Sequence, residues 1–168
     1  KNGDVFPQWI SISAVKDDRG RLTNYVATFT DVTQQKLSEE RILMLAFSDP
    51  LTALPNRRLL LDRLEHALTV SARSHCLGAL VFIDLDNFKV LNDTLGHHMG
   101  DSLLQQVATR LLDCVRAVDT VARLGGDEFV VLLEDLAATG PAATQRADEV
   151  GKKILRSLNQ HYELDGQI

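Results

Sequence analysis

Three scarcities limit this sequence before any motif is considered. Cysteine is the first: Cys76 and Cys114 are its only two, far apart and in no CxxC pair. That excludes a disulfide scaffold and leads us to expect buried thiols in a reduced, cytoplasmic chain. Positive charge is the second. With a net charge of −5, the chain has no basic footprint to track a nucleic-acid backbone, so no nucleic-acid partner is expected. Nucleotides stay open, because a local loop or a metal ion binds phosphate without global positive charge. Long apolar runs are the third: none reaches membrane-spanning length and no signal peptide is visible, although an anchor outside these residues stays compatible with a cytoplasmic domain.

What is present suffices for a core, since 45% of the 168 residues are hydrophobic. That length accommodates one ordinary domain and a small attachment. The opening "KNGDVFPQWI" reads as the middle of a domain, as expected of a piece of a longer protein. "WISISAV" puts Ile10, Ile12 and Ala14 on one face, and "NYVATFTDV" does the same with Tyr25, Ala27 and Phe29. With "KDDRGRL" between them, the two predict a β-hairpin, which alone is marginal in water and needs a partner. From Thr33 the period becomes helical through Leu37, Arg41, Met44 and Phe47, giving a connector helix over 33–47. Both a packed surface helix and a short dimerising coiled coil fit it.

Pro50 and Pro55 break that helix, so a domain boundary falls near residues 46–50. Beyond it, "RRLLLDRLEHAL" predicts a helix with Leu60, Leu61, Leu64, Ala67 and Leu68 on one stripe. "LGALVFIDL" reads as a central strand, and "DSLLQQVATRLLDCV" as an amphipathic helix through Leu103, Leu104, Val107, Ala108, Leu111, Leu112 and Val115. "FVVLL" is a buried strand and "ATQRADEVGKKILRSL" a further helix. Strands alternating with helices point to an α/β sandwich rather than a bundle.

The chemistry concentrates in "FIDLDNFKVLNDTLGHHMGD". An apolar strand running into Asp84 and Asp86 is costly unless the carboxylates are hydrated, paired or bound to a cation. Few hard oxygen donors suit Mg²⁺, which shares its remaining positions with water and substrate phosphates. Lys89 is a point cation suited to phosphate, and Asn92 and Asp101 are types that read a base edge. Each also has a plain reading. The aspartates end a strand in solvent, Asn92 and Asp93 open a turn, and Asp101 caps the next helix. The adjacent His97 and His98 fit a loop better than a metal site. In "RLGGDEFVVLLE" the Gly-Gly pair is an ordinary hairpin signal that places Asp127 and Glu128 at the entrance to a strand.

In combination, "RLGGDEF", the upstream "FIDLDNFKVLNDTLGHHMGD" and "DPLTALPNR" strongly resemble the GGDEF family of diguanylate cyclases, from about residue 46 onward. The resemblance implies an α/β (α+β) fold: a palm-like nucleotide-cyclase domain whose antiparallel sheet is wrapped by helices. It implies condensation of two GTP into cyclic di-GMP with release of two pyrophosphates, in a homodimer, with Mg²⁺ or Mn²⁺ as cofactor. By the same resemblance Asp84, Asp127 and the Leu85 carbonyl hold the metals, and Asp127 also receives the proton of the attacking hydroxyl. Amides around Asn87 and Phe88 face the terminal phosphates. Lys89 stabilises charge during transfer, Asn92 and Asp101 recognise guanine, and Gly125 and Gly126 leave room for the nucleotide. The role of Glu128 stays open. "RAVD" stands where the family carries its product-inhibition motif, making Arg116 and Asp119 a candidate inhibitory site for cyclic di-GMP; a solvated helix end is the plain alternative.

The hairpin followed by "DVTQQK" resembles the end of a PAS sensor domain. The expected organisation is therefore a PAS-like remnant over 1–32, a signalling helix over 33–47 and a GGDEF domain over 48–168 that stops before the family's last strands and helix. Ala53 stands where the family usually has glycine. The style of "LPNRRLLLDRL" and "FIDLDNFK" also resembles tandem cyclase–phosphodiesterase proteins. A regulatory GGDEF-like module that binds GTP or cyclic di-GMP beside a phosphodiesterase domain is therefore the second reading.

Overall fold

A computed structural model describes residues 5–164. Its contacts divide the chain into two compact units, Lys1–Met44 and Leu45–Ile168. In the first, β1 (Gln8–Lys16) and β2 (Leu22–Asp31) form the antiparallel hairpin that alternation predicts. The register pairs Ile10 with Phe29, Ile12 with Ala27 and Ala14 with Tyr25, so the predicted faces coincide. Asp17 builds the turn: its carboxylate accepts hydrogen bonds from the Arg19 and Arg21 amides, both at 2.9 Å, while Gly20 takes φ +76°. Every residue of both strands is exposed, including Trp9 and Phe29. The helix α1 (Thr33–Phe47) follows, with Leu37, Ile42 and Met44 exposed as well.

The second unit contains α2 (Arg57–Ser74), β3 (Leu77–Asp84), α3 (Phe88–Leu95), α4 (His97–Cys114), β4 (Thr120–Gly125), β5 (Glu128–Ala137) and α5 (Gly140–Leu158). Its strands form an antiparallel sheet in the order β3-β5-β4. The β4–β5 hairpin breaks the strand–helix alternation, so the class is α+β with an antiparallel sheet. "FVVLL" is the central strand, with Phe129, Val130, Val131 and Leu133 fully buried. "LGALVFIDL" is instead an edge strand among the described residues: Ala79, Val81 and Ile83 pack on the core while Phe82 is 72% exposed. A continuous apolar run does not distinguish centre from edge, because neighbours rather than composition decide that.

The sheet has two apolar faces. One receives Leu104, Val107, Ala108 and Leu111 of α4 and Ala143 and Ile154 of α5. The other, around Ala122, Val130 and Leu132, receives Leu60, Leu64 and Ala67 of α2. Leu61, Leu68 and Leu112, assigned by periodicity to buried stripes, are more than half exposed. A stripe wider than the surface it meets leaves its margins in solvent. Asn56 starts α2 by accepting from the Arg58 and Leu59 amides at 3.0 and 3.1 Å, a side-chain N-cap. Ala53 adopts φ +58°, the left-handed region, which explains physically why glycine suits this position better.

Candidate functional site

The strand β3 delivers Asp84 at its C-terminal end, and the register sets it beside Glu128, the first residue of β5. Asp127 precedes Glu128 in the turn from β4. Asp127 itself thus stands one position before the residue opposite Asp84, and Glu128 is the register partner. Both carboxylates of interest still converge on the same end of the same strand pair. Asp84 is exposed and Asp127 half-buried, and neither makes an ion pair among the described residues. The two turn glycines have a backbone reason as well as the expected steric one. Gly125 at φ +139° and Gly126 at φ +53° occupy conformations that side chains disfavour.

After Asp84 the extended form does not persist to Asp86. The chain bends at once, with Asn87 left-handed at φ +60° and the Phe88 amide reaching the Leu85 carbonyl at 3.3 Å. The helix α3 starts there, so the Asn87–Phe88 backbone forms its N-terminus and Lys89 sits exposed in its first turn. A helix N-terminus beside a lysine favours anionic groups. Asn92 lies within α3 rather than opening a turn, and Asp101 lies within α4 rather than capping it. His97 and His98 begin α4 instead of forming a loop.

The two helices meet closely at this point. A Cβ on Gly100 would stand 1.9 Å from Asn92 Oδ1 and 3.1 Å from Phe88 Cζ, so only glycine allows this approach. Among the described residues Asn92 Oδ1 is buried without a hydrogen-bond partner, which is costly in a folded chain and leaves an acceptor unspent against Gly100. Reading the sequence for functional groups identified Asn92 and Asp101 and missed Gly100. Its signal was the glycine immediately before Asp101 in "HHMGD".

Metal fit follows from the donor set. Among the described residues no three His, Cys, Asp or Glu side chains gather as a metal-binding group. What converges is two unpaired carboxylates, Asp84 and Asp127, with the Leu85 carbonyl next in the chain. Such an incomplete set of hard oxygens suits Mg²⁺ or Mn²⁺, which leave coordination positions to water and phosphate.

Arg116 and Asp119 lie at the other end of β4, away from this turn. Asp119, its side chain 1% exposed, accepts from the Arg116 amide at 2.8 Å, from Arg116 Nε at 3.1 Å and Nη2 at 2.8 Å, and from the Glu134 amide at 3.2 Å. Burial acts to raise its pKa, but these hydrogen bonds prevail and hold it below the ordinary carboxylate value. Arg116 also donates to the Glu134 carbonyl at 2.6 Å, yet half its side chain stays exposed. Asp119 therefore acts on Arg116, orienting a guanidinium that faces solvent.

A second arginine was not singled out from the sequence. Arg123, in β4, bonds both carboxylate oxygens of Asp49 at 3.0 and 3.1 Å and the Gly126 carbonyl at 2.6 and 3.1 Å. The opposite charges heading "DPLTALPNR" and "RLGGDEF" were the available signal.

The family model described as diguanylate cyclase, GGDEF domain, matches residues 46–168. The chain is 46% identical over 127 residues to MucR of Pseudomonas aeruginosa, a bifunctional diguanylate cyclase/cyclic di-GMP phosphodiesterase, covering 76% of this chain and 18% of that protein. It is 33% identical over 169 residues to DgcE of Escherichia coli, a probable diguanylate cyclase, covering 100% of this chain and 15% of that one. The chain thus spans less than a fifth of either relative. Among solved structures, the GGDEF domain of TpbB from Pseudomonas aeruginosa is similar at a TM-score of 0.62 and 43% identity, with 70% of this chain and 66% of that one covered.

Proposed function

The chain belongs to the diguanylate cyclase GGDEF-domain family, and from that premise we propose that it condenses two GTP into cyclic di-GMP and two pyrophosphates. In this reaction the 3′-hydroxyl of each GTP attacks the α-phosphate of the other. Two phosphodiester bonds form, two pyrophosphates leave and two hydroxyl protons are removed. The observation that carries the reading is the placement of Asp84 and Asp127, both without ion pairs among the described residues, at one end of the β3–β5 pair. Two carboxylates left uncompensated by protein cations are suited to a divalent ion and a polyphosphate.

Asp84, Asp127 and the Leu85 carbonyl would hold Mg²⁺ or Mn²⁺, which when bound would neutralise phosphate charge. The residues do the rest. Asp127 accepts the proton of the attacking 3′-hydroxyl. Amides at Asn87 and Phe88, at the N-terminus of α3, meet the terminal phosphates, and Lys89 stabilises charge as pyrophosphate departs. Asn92 and Asp101 read guanine. Gly125 and Gly126 keep the turn free of side chains where nucleotide approaches.

The half-reaction geometry requires two facing sites, so the active form is a homodimer, with α1 as the signalling helix over 33–47 that arranges it. Residues 1–32 are the end of a PAS-like sensor and 48–168 the cyclase domain, working in the cytoplasm where GTP is available. Arg116, oriented by Asp119, binds cyclic di-GMP as feedback inhibitor. Because MucR carries both activities by name, a silent module regulating a linked phosphodiesterase is the competing reading.

The test is an assay of the full-length parent protein with GTP and Mg²⁺ beside Asp127→Ala. Product from the native chain, and at least about a hundredfold less from the variant, supports the cyclase. GTP binding without turnover in the native chain would replace it with the regulatory module.

A further inference from the structure

We propose that Arg123 is a positioning residue for the turn that presents Asp127, and that Asp49 holds Arg123 in place. The inference rests on the cyclase reading of that turn. It starts from the turn's own looseness: Gly125 and Gly126 have positive φ and nothing within 4 Å of where a Cβ would stand, so no side-chain packing restrains them. Backbone freedom of that kind spreads Asp127 over many positions unless something else fixes the turn.

Arg123 supplies the restraint. Its Nε and Nη2 donate to the Gly126 carbonyl at 3.1 and 2.6 Å. That carbonyl belongs to the peptide unit that continues into Asp127, so anchoring it fixes the plane from which the carboxylate projects. On the other side of the same guanidinium, Nη1 donates to both oxygens of Asp49. The planar fork addresses both partners at once, which a lysine ammonium on its flexible stem cannot reproduce. The pair is shielded from water, with side-chain exposures of 10% for Arg123 and 14% for Asp49.

Asp49 is in turn fixed by its own segment. It accepts from the Thr52 amide at 2.8 Å and hydroxyl at 2.7 Å, and its amide donates to the Leu54 carbonyl at 2.7 Å. Asn56 closes the loop backward, its amide donating to the Phe47 carbonyl at 2.9 Å and its side chain to Ala46 at 3.1 Å. The Arg123 amide donates to the Pro55 carbonyl at 3.0 Å, so backbone and side chain both tie β4 to this segment. A continuous run of bonds therefore joins the C-terminal residues of α1 to the peptide before Asp127. Displacement of residues 46–49 would be felt first at Gly126.

The experiment compares the full-length parent protein with its Arg123→Lys, Asp49→Asn and double variants, by GTP turnover and by amide exchange resolved at residues 125–133. In Arg123→Lys, kcat should fall about tenfold or more with KM for GTP changed less than about threefold, because geometry rather than binding is lost. Asp49→Asn should act in the same direction, and the double variant should be no worse than Arg123→Lys, as members of one clamp are not additive. Exchange at Asp127 and Glu128 should rise about tenfold while Val130–Leu133 stay as in the native chain. A kcat unchanged per folded molecule, or unchanged exchange at the turn, overturns the proposal. Should the native chain turn over no GTP, the cyclase reading fails by itself and the exchange comparison decides the role of Arg123.

Discussion

The hairpin β1–β2 and the sheet β3-β5-β4 are both antiparallel, both rich in apolar residues and both well paired, yet they differ in what surrounds them. In the hairpin all strand residues are exposed, on two faces. In the sheet, Phe129 to Leu133 of β5 are buried on two faces. Backbone pairing is the same in each; only the second has helices laid on it. The difference teaches that strand pairing is a local property and stability a borrowed one, since burial comes from elements distant in sequence.

The largest expected effect breaks the comparison directly. Phe129→Ala should cost about 3–5 kcal/mol, because a fully buried ring leaves a cavity, whereas Phe29→Ala, at 62% exposure, should stay within about 0.5 kcal/mol. Urea denaturation of both variants checks this, and similar losses would mean that the hairpin has a cover of its own.

A middle effect concerns acid. Asp49 and Asp119 in the sheet unit are both held below the ordinary value of 3.8, burial opposing and hydrogen bonds from Thr52, Arg123, Arg116 and Glu134 prevailing. Asp17 and Asp31 in the first unit are also lowered, by bonds from Arg21 and Arg19 and from Thr33, Asp17 being half-buried in its turn and Asp31 exposed. A carboxylate with a depressed folded pKa contributes stability that is fully present above its unfolded value and lost as pH falls through the folded one. The sheet unit should therefore lose stability as pH falls from about 5 towards 3. Asp119→Ala should cost about 2 kcal/mol at neutral pH, discounted for the exposure of Arg116, and should flatten that slope. Denaturation midpoints against pH report both.

The smallest effects sharpen the comparison at single backbone positions. Gly20→Ala in the hairpin turn should destabilise by about 1 kcal/mol, since φ is +76° there. Ala53→Gly, at φ +58° in the sheet unit, should stabilise by about 0.5–1 kcal/mol in thermal melts. A gain from Gly20→Ala or a loss from Ala53→Gly would contradict the backbone argument.

Much of this was legible beforehand where a rule of short range applies. Period-two alternation placed Ile10, Ile12, Tyr25 and Phe29 on the faces they occupy, and the run "FVVLL" marked a buried strand. Short-range rules failed where a neighbour distant in sequence decided. Whether "LGALVFIDL" is central or at the edge depends on which strand lies beside it. Whether Leu61, Leu68 and Leu112 are covered depends on how wide a surface α2 and α4 meet. The site divides similarly. Asp84, Asp127, Asn92 and Asp101 stood out as chemical types in ordered motifs. Gly100 and Arg123 carry no chemistry in isolation and stand out only through contacts with Asn92, Asp49 and Gly126.

The sequence by itself determined family, the longer helices and strands and the inventory of reactive groups, because motifs and periodicities are written residue by residue. Only the tertiary structure decided that Glu128 rather than Asp127 pairs with Asp84, that Asn92 keeps an unspent acceptor against Gly100, and that Asp49 reaches Arg123 across 74 positions. Register and long-range contact are set by packing of the whole sheet, and no local stretch of chain contains that information.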